Sequence, residues 1–105
     1  MTWYTCTVNE AGPADDATET PGGSVYINLT DQGGAFSNTW FYCAAGSKSY
    51  MLAVALAAIS LGAQVEVGAF PPSPIGTVGG PTAAVANGTE VQAITEIQRL
   101  YLIAP

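Results

Sequence analysis

Hydrophobic and polar positions divide the chain into short segments, most of which have a strand-like period of two. Residues 24–31 alternate, with Val25, Ile27 and Leu29 on one face and Tyr26 among the residues on the other, which predicts a half-buried strand. Other segments are rich in β-branched and aromatic residues or alternate around valines. The predicted strands are 2–10, 24–31, 39–44, 63–70 and the second half of 91–104.

The segment 49–62 has a different pattern, because no polar side chain interrupts it from Met51 to Ile59. Ser47 or Ser49 is a suitable N-cap and Gly62 a suitable C-cap, so a helix is predicted over 49–61. A membrane-spanning helix needs about 20 apolar residues. The run is shorter than that, and a buried helix without membrane insertion is predicted.

Long polar or Pro- and Gly-rich loops, 11–23 and 71–89, separate the first two strands and the last two. The predicted order is three strands, one helix and two strands, which excludes a parallel α/β fold. Five strands with a helix between the third and fourth are typical of the OB-fold, a small Greek-key barrel. We therefore predict one mostly β domain over 1–105, a five-stranded OB-fold barrel with one buried helix.

The predicted helix is apolar on every side, whereas a surface helix normally has one polar face. We expect Leu52, Leu56 and Ile59 to pack on the strands. The opposite face is then expected to contact a neighbouring subunit, since exposing several such side chains forfeits about 1.5–3 kcal/mol each. An alternative cover for it is the 71–89 loop. The expected interface residues are Met51, Val54, Ala55, Ala58 and Leu61.

The charge balance excludes several functions. The net charge is −6, from eight acidic residues and two basic ones, Lys48 and Arg99. Nucleic acids and anionic membranes are poor partners, since binding them requires clustered bases. The chain has no histidine, and Lys48 between two serines is interpreted as a helix start. We therefore expect no catalytic residues, no cofactor and no metal, and the protein is not predicted to be an enzyme.

The two cysteines, Cys6 and Cys43, match no zinc or redox spacing. Buried free thiols and a disulfide between the first and third strands both remain open. Few lysines and many Thr, Ala and Gly residues are typical of an exported protein, secreted or periplasmic. The first residues, "MTWYTCTV", lack the basic segment and apolar run of a signal peptide, so either a signal has been removed or the protein is not exported.

Aromatic residues are the strongest candidate for a ligand site. If Val25 and its alternating neighbours point inward, Tyr26 and Asn28 point outward, and Trp40 and Tyr42 share one face of the third strand. OB-folds bind oligosaccharides and oligonucleotides on this face. Aromatic rings stack on sugars and Asn28 can bond their hydroxyls, so a glycan is the expected ligand. The alternative is that these rings belong to the core or to a subunit interface.

The order of elements and the size of the chain resemble those of the cell-binding B subunits of the cholera-type bacterial toxins. That resemblance implies an OB-fold that assembles as a homopentameric ring with the helices at its centre. The segments "GAFSNTWF", "MLAVALAAI" and "LYLI" also resemble a group of short bacterial proteins without a clear function. No sugar-binding residue of the toxin subunits is carried over, and the apolar helix here differs from their polar, basic one.

The expected function is therefore a non-enzymatic, ring-forming binding protein that recognises a glycan or another neutral ligand. A self-assembling structural oligomer, whose only partner is itself, is the alternative.

Overall fold

The computed structural model describes residues 1–14, 24–44, 46–71, 82–84, 91–93 and 95–105. Within these ranges the protein is mostly β, with one helix. The helix is α1 (Lys48–Leu61), and the strands are β1 (Thr2–Ala14), β2 (Ser24–Asp31), β3 (Thr39–Cys43), β4 (Gln64–Ala69), β5 (Thr82–Ala84), β6 (Val91–Ala93) and β7 (Thr95–Leu102). The acidic residues of the first predicted loop, and most of the second loop, lie outside the described residues.

Five strands form a closed barrel in the order β1-β2-β3-β7-β4, with β4 also paired to β1. The pairs are antiparallel except β3 with β7, which are parallel. The remaining strands, β5 and β6, form a separate antiparallel pair. The prediction of a mostly β, five-stranded barrel with one helix is confirmed at this level.

The barrel interior is built by the alternation that the sequence displays. Val25, Ile27 and Leu29 of β2 are buried, as are Val65 and Val67 of β4. These inward residues surround the largest fully buried side chain, that of Phe41 on β3. Together with residues of β1, β7 and α1 they form one hydrophobic core. The five inward positions on β2 and β4 contribute only apolar side chains to this core.

The first strand is longer than predicted, because β1 continues through Gly12 and Pro13 to Ala14. Its second half pairs with β2 as far as Ala14 opposite Ser24, whereas β4 pairs only with Thr2–Thr7. Proline lacks an N–H donor and is tolerated where a strand has a neighbour on one side only. Long-range pairing therefore extends β1 into a segment that its composition marks as loop.

The helix α1 follows β3 and ends as the sequence predicts. Ser47 is the N-cap residue, although its side chain makes no capping hydrogen bond. Gly62 has a φ of 65°, in the left-handed region, and the Ala63 N–H donates to the Ala58 carbonyl at 2.9 Å. Glycine adopts this conformation without a Cβ clash, so it terminates the helix. Among the described residues no helix is long and apolar enough to cross a membrane.

Of the three residues predicted to pack on the strands, Leu52 packs on the core, whereas Leu56 and Ile59 face outward. Ala55 and Ala58 are 0% and 1% exposed, whereas Leu56 and Ile59 are 47% and 45% exposed. Because α1 is apolar on every side, the periodicity of its hydrophobic residues does not indicate which side is buried. The size of the side chains does indicate it, because a row of alanines lets the helix approach the strands closely. The residues of α1 that pack on the core are Met51, Leu52, Val54, Ala55 and Ala58.

The expected interface residues differ in exposure. Ala55 and Ala58 are buried in the core of their own subunit, Met51 and Val54 pack against it and are partly buried, and Leu61 is exposed. A contact between copies through α1 would therefore use its exposed and partly exposed residues rather than Ala55 and Ala58.

The placement of Ala58 leads to a stability prediction. Ala58→Glu puts an unpaired carboxylate into the core, at a cost of several kcal/mol, which is comparable to the typical stability of about 5–15 kcal/mol for a small domain. We expect the subunit itself to unfold, as measured by loss of near-UV circular dichroism and of cooperative urea unfolding.

The matched control is Ala53→Glu, since Ala53 lies on the exposed side of the same helix. It should change stability by less than about 0.5 kcal/mol. A folded Ala58→Glu subunit would contradict this description of the core.

Both cysteines are buried, as predicted, and both are free. Cys6 lies opposite Asp31, at one end of β2, and Cys43 lies opposite Val25, near the other end. A disulfide requires Cα atoms within about 7 Å of each other, so this offset keeps the thiols apart. Burial, and secondarily the charge of Asp31, raises the pKa of Cys6 to about 12. Burial, followed by the charge of Glu96, raises the pKa of Cys43 to about 12.

These pKa values predict slow thiol chemistry and a loss of stability in alkali. The native protein should resist alkylation at about pH 8, and the unfolded chain should gain two alkyl groups by intact mass, because only the thiolate reacts. The folded thiols keep their protons above the ordinary pKa of 9.0. The free energy of unfolding should therefore fall as pH rises from about 9 to about 12.

The variant that carries both Cys6→Ala and Cys43→Ala should show a flatter pH dependence between about pH 8 and about pH 10. Rapid alkylation of both thiols in the native protein would show that they are not enclosed.

Candidate functional site

The four residues predicted as a ligand site lie together on the outer face of β2 and β3. Tyr26 is directly opposite Tyr42, and Asn28 is directly opposite Trp40. Tyr26 packs against both Trp40 and Tyr42, which are partly exposed. Tyr26 and Asn28 themselves are only 8% and 4% exposed. The sequence thus predicted the face correctly, but these two residues form the floor of the surface and the other two are accessible.

A β-bulge in β1 adds a residue to this face. Val8 lies opposite Leu29 and Glu10 opposite Asn28, so Asn9 is an extra residue between the two pairs. Val8 is buried, whereas Asn9 and Glu10 are both exposed. A bulge interrupts the alternation of a strand and redirects a side chain. Here it turns two consecutive polar side chains outward beside Asn28.

The side chain of Asn9 connects three acceptors. Its Nδ2 donates to Asn28 Oδ1 at 2.9 Å, to Thr30 Oγ1 at 2.8 Å and, at a longer 3.4 Å, to Asn38 Oδ1. An amide nitrogen has two hydrogens, so the long contact shares one of them. The Asn38 N–H also donates to Thr30 Oγ1 at 3.1 Å. These bonds hold four polar side chains in fixed positions next to Trp40.

Asn38 is the one described residue other than glycine with a positive φ, 48°. Asparagine tolerates the left-handed region better than most residues do. The turn before β3 therefore places the Asn38 side chain toward β1, and the strand that follows carries Trp40.

The other end of the surface is defined by Glu96 on β7. The parallel pairing of β3 and β7 puts Glu96 next to Tyr42, and the Tyr42 phenol donates a hydrogen bond to the Glu96 carboxylate. Burial, the nearby negative charge and this hydrogen bond all raise the pKa of Tyr42. The phenol is therefore held protonated and oriented, with a carboxylate oxygen beside it.

We call this set the amide–aromatic surface, and its members come from four strands and one turn. They are Asn9, Tyr26, Asn28, Thr30, Asn38, Trp40, Tyr42 and Glu96. Sequence reasoning missed Asn9, Asn38 and Glu96 as site residues. Asparagine is disfavoured in strands, which is a weak signal for Asn9. No local pattern indicates that Glu96 lies beside Tyr42, because their pairing joins distant parts of the chain.

The described residues offer no group of three or more His, Cys, Asp or Glu side chains that could hold a metal ion.

At the start of α1, beside Lys48, the Ser47 hydroxyl donates to the Ala44 carbonyl at 3.5 Å. This position agrees with the interpretation of Lys48 and its neighbours as a helix start.

Comparison of the chain with protein family models, with curated proteins and with solved structures found no match. The amide–aromatic surface itself is therefore the basis for a functional assignment. Its chemistry combines flat apolar rings with fixed amide, hydroxyl and carboxylate groups.

The Tyr42–Glu96 contact can be tested by titration. We expect one tyrosine to ionise above the usual pKa of 10.0 in an ultraviolet difference titration, and Tyr42→Phe should remove that signal. Glu96→Gln removes the negative charge and should lower the pKa of Tyr42, although not fully to 10.0 because burial remains. An unchanged titration in Glu96→Gln would show that this carboxylate does not bond the phenol.

Proposed function

We propose that the protein is a non-enzymatic binding protein with an OB-fold, which recognises a glycan or a similar neutral ligand on the amide–aromatic surface and assembles as a homo-oligomeric ring, in the simplest case a pentamer. The observation that carries the proposal is the register of β2 and β3, which sets Asn28 opposite Trp40 and Tyr26 opposite Tyr42.

The OB-fold assignment is supported by the connectivity of the barrel. The helix follows the third barrel strand, and the last barrel strand, β7, lies between β3 and β4. OB-folds commonly use the face of their second and third strands for ligands. The amide–aromatic surface occupies the corresponding strands, β2 and β3.

The chemistry of the surface suits a sugar. The partly exposed rings of Trp40 and Tyr42 offer flat apolar area at low cost in side-chain entropy, and both have a polar atom at the edge. The Asn9, Asn28 and Asn38 amides offer donors and acceptors that are already oriented by hydrogen bonds to one another. Preorganised polar groups around an apolar platform are the usual composition of a site for a neutral polar ligand.

The distribution of charge disfavours a polyanion. Glu96 lies within the surface, and Glu10 lies opposite Asn28 on β1. The protein's two bases are not members of this surface: Lys48 is at the start of α1, and Arg99 lies on β7 opposite Gly68 of β4. Binding of single-stranded nucleic acid uses stacking together with a basic groove. Here the aromatic residues are present without the bases.

Ring assembly is supported by the exposed apolar residues outside the amide–aromatic surface. Two clusters are prominent, and each of their side chains is about half exposed. The first is Leu56 with Ile59 on α1, and the second is Trp3 on β1 with Tyr101 on β7. Contiguous exposed apolar area on a small protein usually marks a contact surface.

The second candidate, a structural oligomer without a ligand, is favoured by one observation. Tyr26 and Asn28 are largely covered by their own neighbours, and Asn9 already satisfies the Asn28 oxygen. In that case, the surface would stabilise the barrel rather than bind a ligand.

The proposal is tested with a glycan array and a labelled oligonucleotide titration on the same preparation, followed by calorimetry with the free glycans that bind. Trp40→Ala should weaken glycan binding by at least about tenfold, the size expected for a central aromatic contact. The control Tyr50→Ala removes an exposed ring on α1, 77% exposed, and should bind normally.

Tight oligonucleotide binding would contradict the assignment of ligand class. Silence in both assays from a correctly assembled protein would favour the structural oligomer.

A further inference from the structure

The charged side chains on the amide–aromatic surface and at its β1 edge are both carboxylates. Glu96 is a member of the surface, and Glu10 is exposed opposite Asn28. The bonding partners of Glu96 are the Tyr42 phenol and the Gln98 amide, whose Nε2 donates to Glu96 Oε1 at 3.3 Å. Both of these partners are neutral donors, so neither balances the negative charge of the carboxylate.

The base on the same strand, Arg99, lies three residues beyond Glu96, which is about 10 Å along an extended strand. That separation is about one Debye length at 0.1 M salt. Arg99 pairs with β4, which also carries the exposed acid Glu66, whereas Glu96 pairs with β3. The Glu96 end of the surface therefore stays negative.

Two hydrogen-bond acceptors lie side by side at this end of the surface. A carboxylate has about four acceptor positions, and the two donors on Glu96 leave some of them unused. The Tyr42 hydroxyl gives its single proton to Glu96, so toward a ligand it can only accept. Both side chains are partly exposed. A ligand group that binds here must be a donor, and a positively charged donor is favoured over a neutral one.

The aromatic rings favour the same sign of charge. Trp40 and Tyr42 are two residues apart on β3, are partly exposed, and pack against Tyr26. The face of an aromatic ring is partially negative and attracts a cation, most strongly in tryptophan. A cation beside Glu96 is therefore stabilised by the carboxylate and by the ring faces, whereas an anion is repelled by both.

The side of the surface away from Glu96 has room for the rest of a ligand. Gly12, Tyr26, Tyr42 and Glu96 lie in one row across four strands. A Cβ at Gly12 would meet no described atom within 4 Å. The row thus has a carboxylate at one end and open space at the other, next to the hydrogen-bonded asparagine amides.

We propose that the ligand recognised on the amide–aromatic surface is an amino sugar, whose protonated amine donates to Glu96 and Tyr42 while a sugar ring stacks on Trp40. This inference rests on the proposed function and adds one positive charge to the otherwise neutral ligand proposed there. An ammonium has three donors and no acceptor, whereas a sugar hydroxyl has one donor. An N-acetyl group removes the charge, and a sugar carboxylate reverses it.

Three trisaccharides of identical linkage test the proposal. The glucosamine trimer, cellotriose and the N-acetylglucosamine trimer differ only in the group on the second carbon of each ring, which is an ammonium, a hydroxyl or an acetamide. Affinity is measured from the Trp40 indole signal of ¹⁵N-labelled protein in mildly acidic buffer, in which the glucosamine amines are protonated. The glucosamine trimer should bind about tenfold more tightly than cellotriose, and the acetylated trimer no more tightly than cellotriose.

Two matched variants separate the site from general attraction between a cationic sugar and a protein of net charge −6. Glu96→Gln removes the charge and keeps an acceptor oxygen, so the preference for the amine should fall to about twofold or less. Glu66→Gln removes the same charge from an exposed position on β4 and should keep the preference. Near-UV circular dichroism checks that both variants are folded.

Tyr42→Phe is a second variant that tests the same end of the surface. It keeps the ring and the Glu96 charge but lacks the second acceptor, so it should reduce the preference for the amine by about threefold. A fourth probe, ethanolamine, carries an ammonium without a sugar and should bind far more weakly than the glucosamine trimer.

The outcomes distinguish this inference from the proposed function. Equal affinity for the three trimers, or a preference for the amine that persists in Glu96→Gln, would overturn the amino-sugar assignment and leave glycan binding in place. Binding of ethanolamine as tight as that of the glucosamine trimer would overturn the role of the sugar. Absence of binding to all three trimers would also overturn this inference, and the proposed function would fall with it only if the glycan array is silent as well.

Discussion

The short parallel pairing of β3 with β7 is the constraint on which the rest of the structure depends. It consists of two aligned pairs, Phe41 with Thr95 and Tyr42 with Glu96, and it closes the barrel. On the inner side it closes the core around Phe41. On the outer side it brings the Glu96 carboxylate to the Tyr42 phenol. Parallel strands cannot be joined by a tight turn, so this closure requires the long intervening chain that holds α1, β4 and the β5–β6 pair.

Core and surface are built by the same strands. On β2 the inward residues Val25, Ile27 and Leu29 fix the register, since a slip by one residue would exchange the two faces. The outward residues Tyr26 and Asn28 are thereby fixed relative to β3. The register of the core strands therefore also sets the relative positions of the site residues, which is what a preorganised binding surface needs. The bulge at Asn9 is a local departure from this alternation, and it supplies the donor that connects the polar side chains.

Local patterns in the sequence were sufficient for much of the fold. The alternation in 24–31 predicted β2 with its bounds, and the apolar run closed by Gly62 predicted α1 to within one residue. The face carrying Tyr26, Asn28, Trp40 and Tyr42 followed from the same alternation. In each case the period of the hydrophobic residues, together with a turn or cap residue at the end of the segment, determines the type and the bounds of the element.

Other features depend on contacts between distant residues, and the sequence did not reveal them. The prediction that Leu56 and Ile59 face the barrel was wrong, although Leu52 does pack on the core. A helix that is apolar on every side has no periodic signal for its buried face, and here the close approach of the strands favours the small side chains of Ala55 and Ala58. The extension of β1 over Pro13 depends on pairing with β2 alone. Asn9 belongs to the site because of a β-bulge, and Glu96 because of the parallel pairing of β7 with β3. Neither feature produces a recognisable pattern of hydrophobic and polar residues in the local sequence.

The central claim, that the amide–aromatic surface binds a neutral ligand, is tested most directly by the two indole N–H signals of the protein. Its two tryptophans lie on different surfaces, Trp40 beside Asn28 and Trp3 beside Tyr101. Titration of ¹⁵N-labelled protein with a panel of neutral oligosaccharides should shift the Trp40 indole signal and the asparagine side-chain amides, and leave the Trp3 signal in place. A shift of Trp3 alone, or no shift of Trp40 with any member of the panel, would contradict the claim.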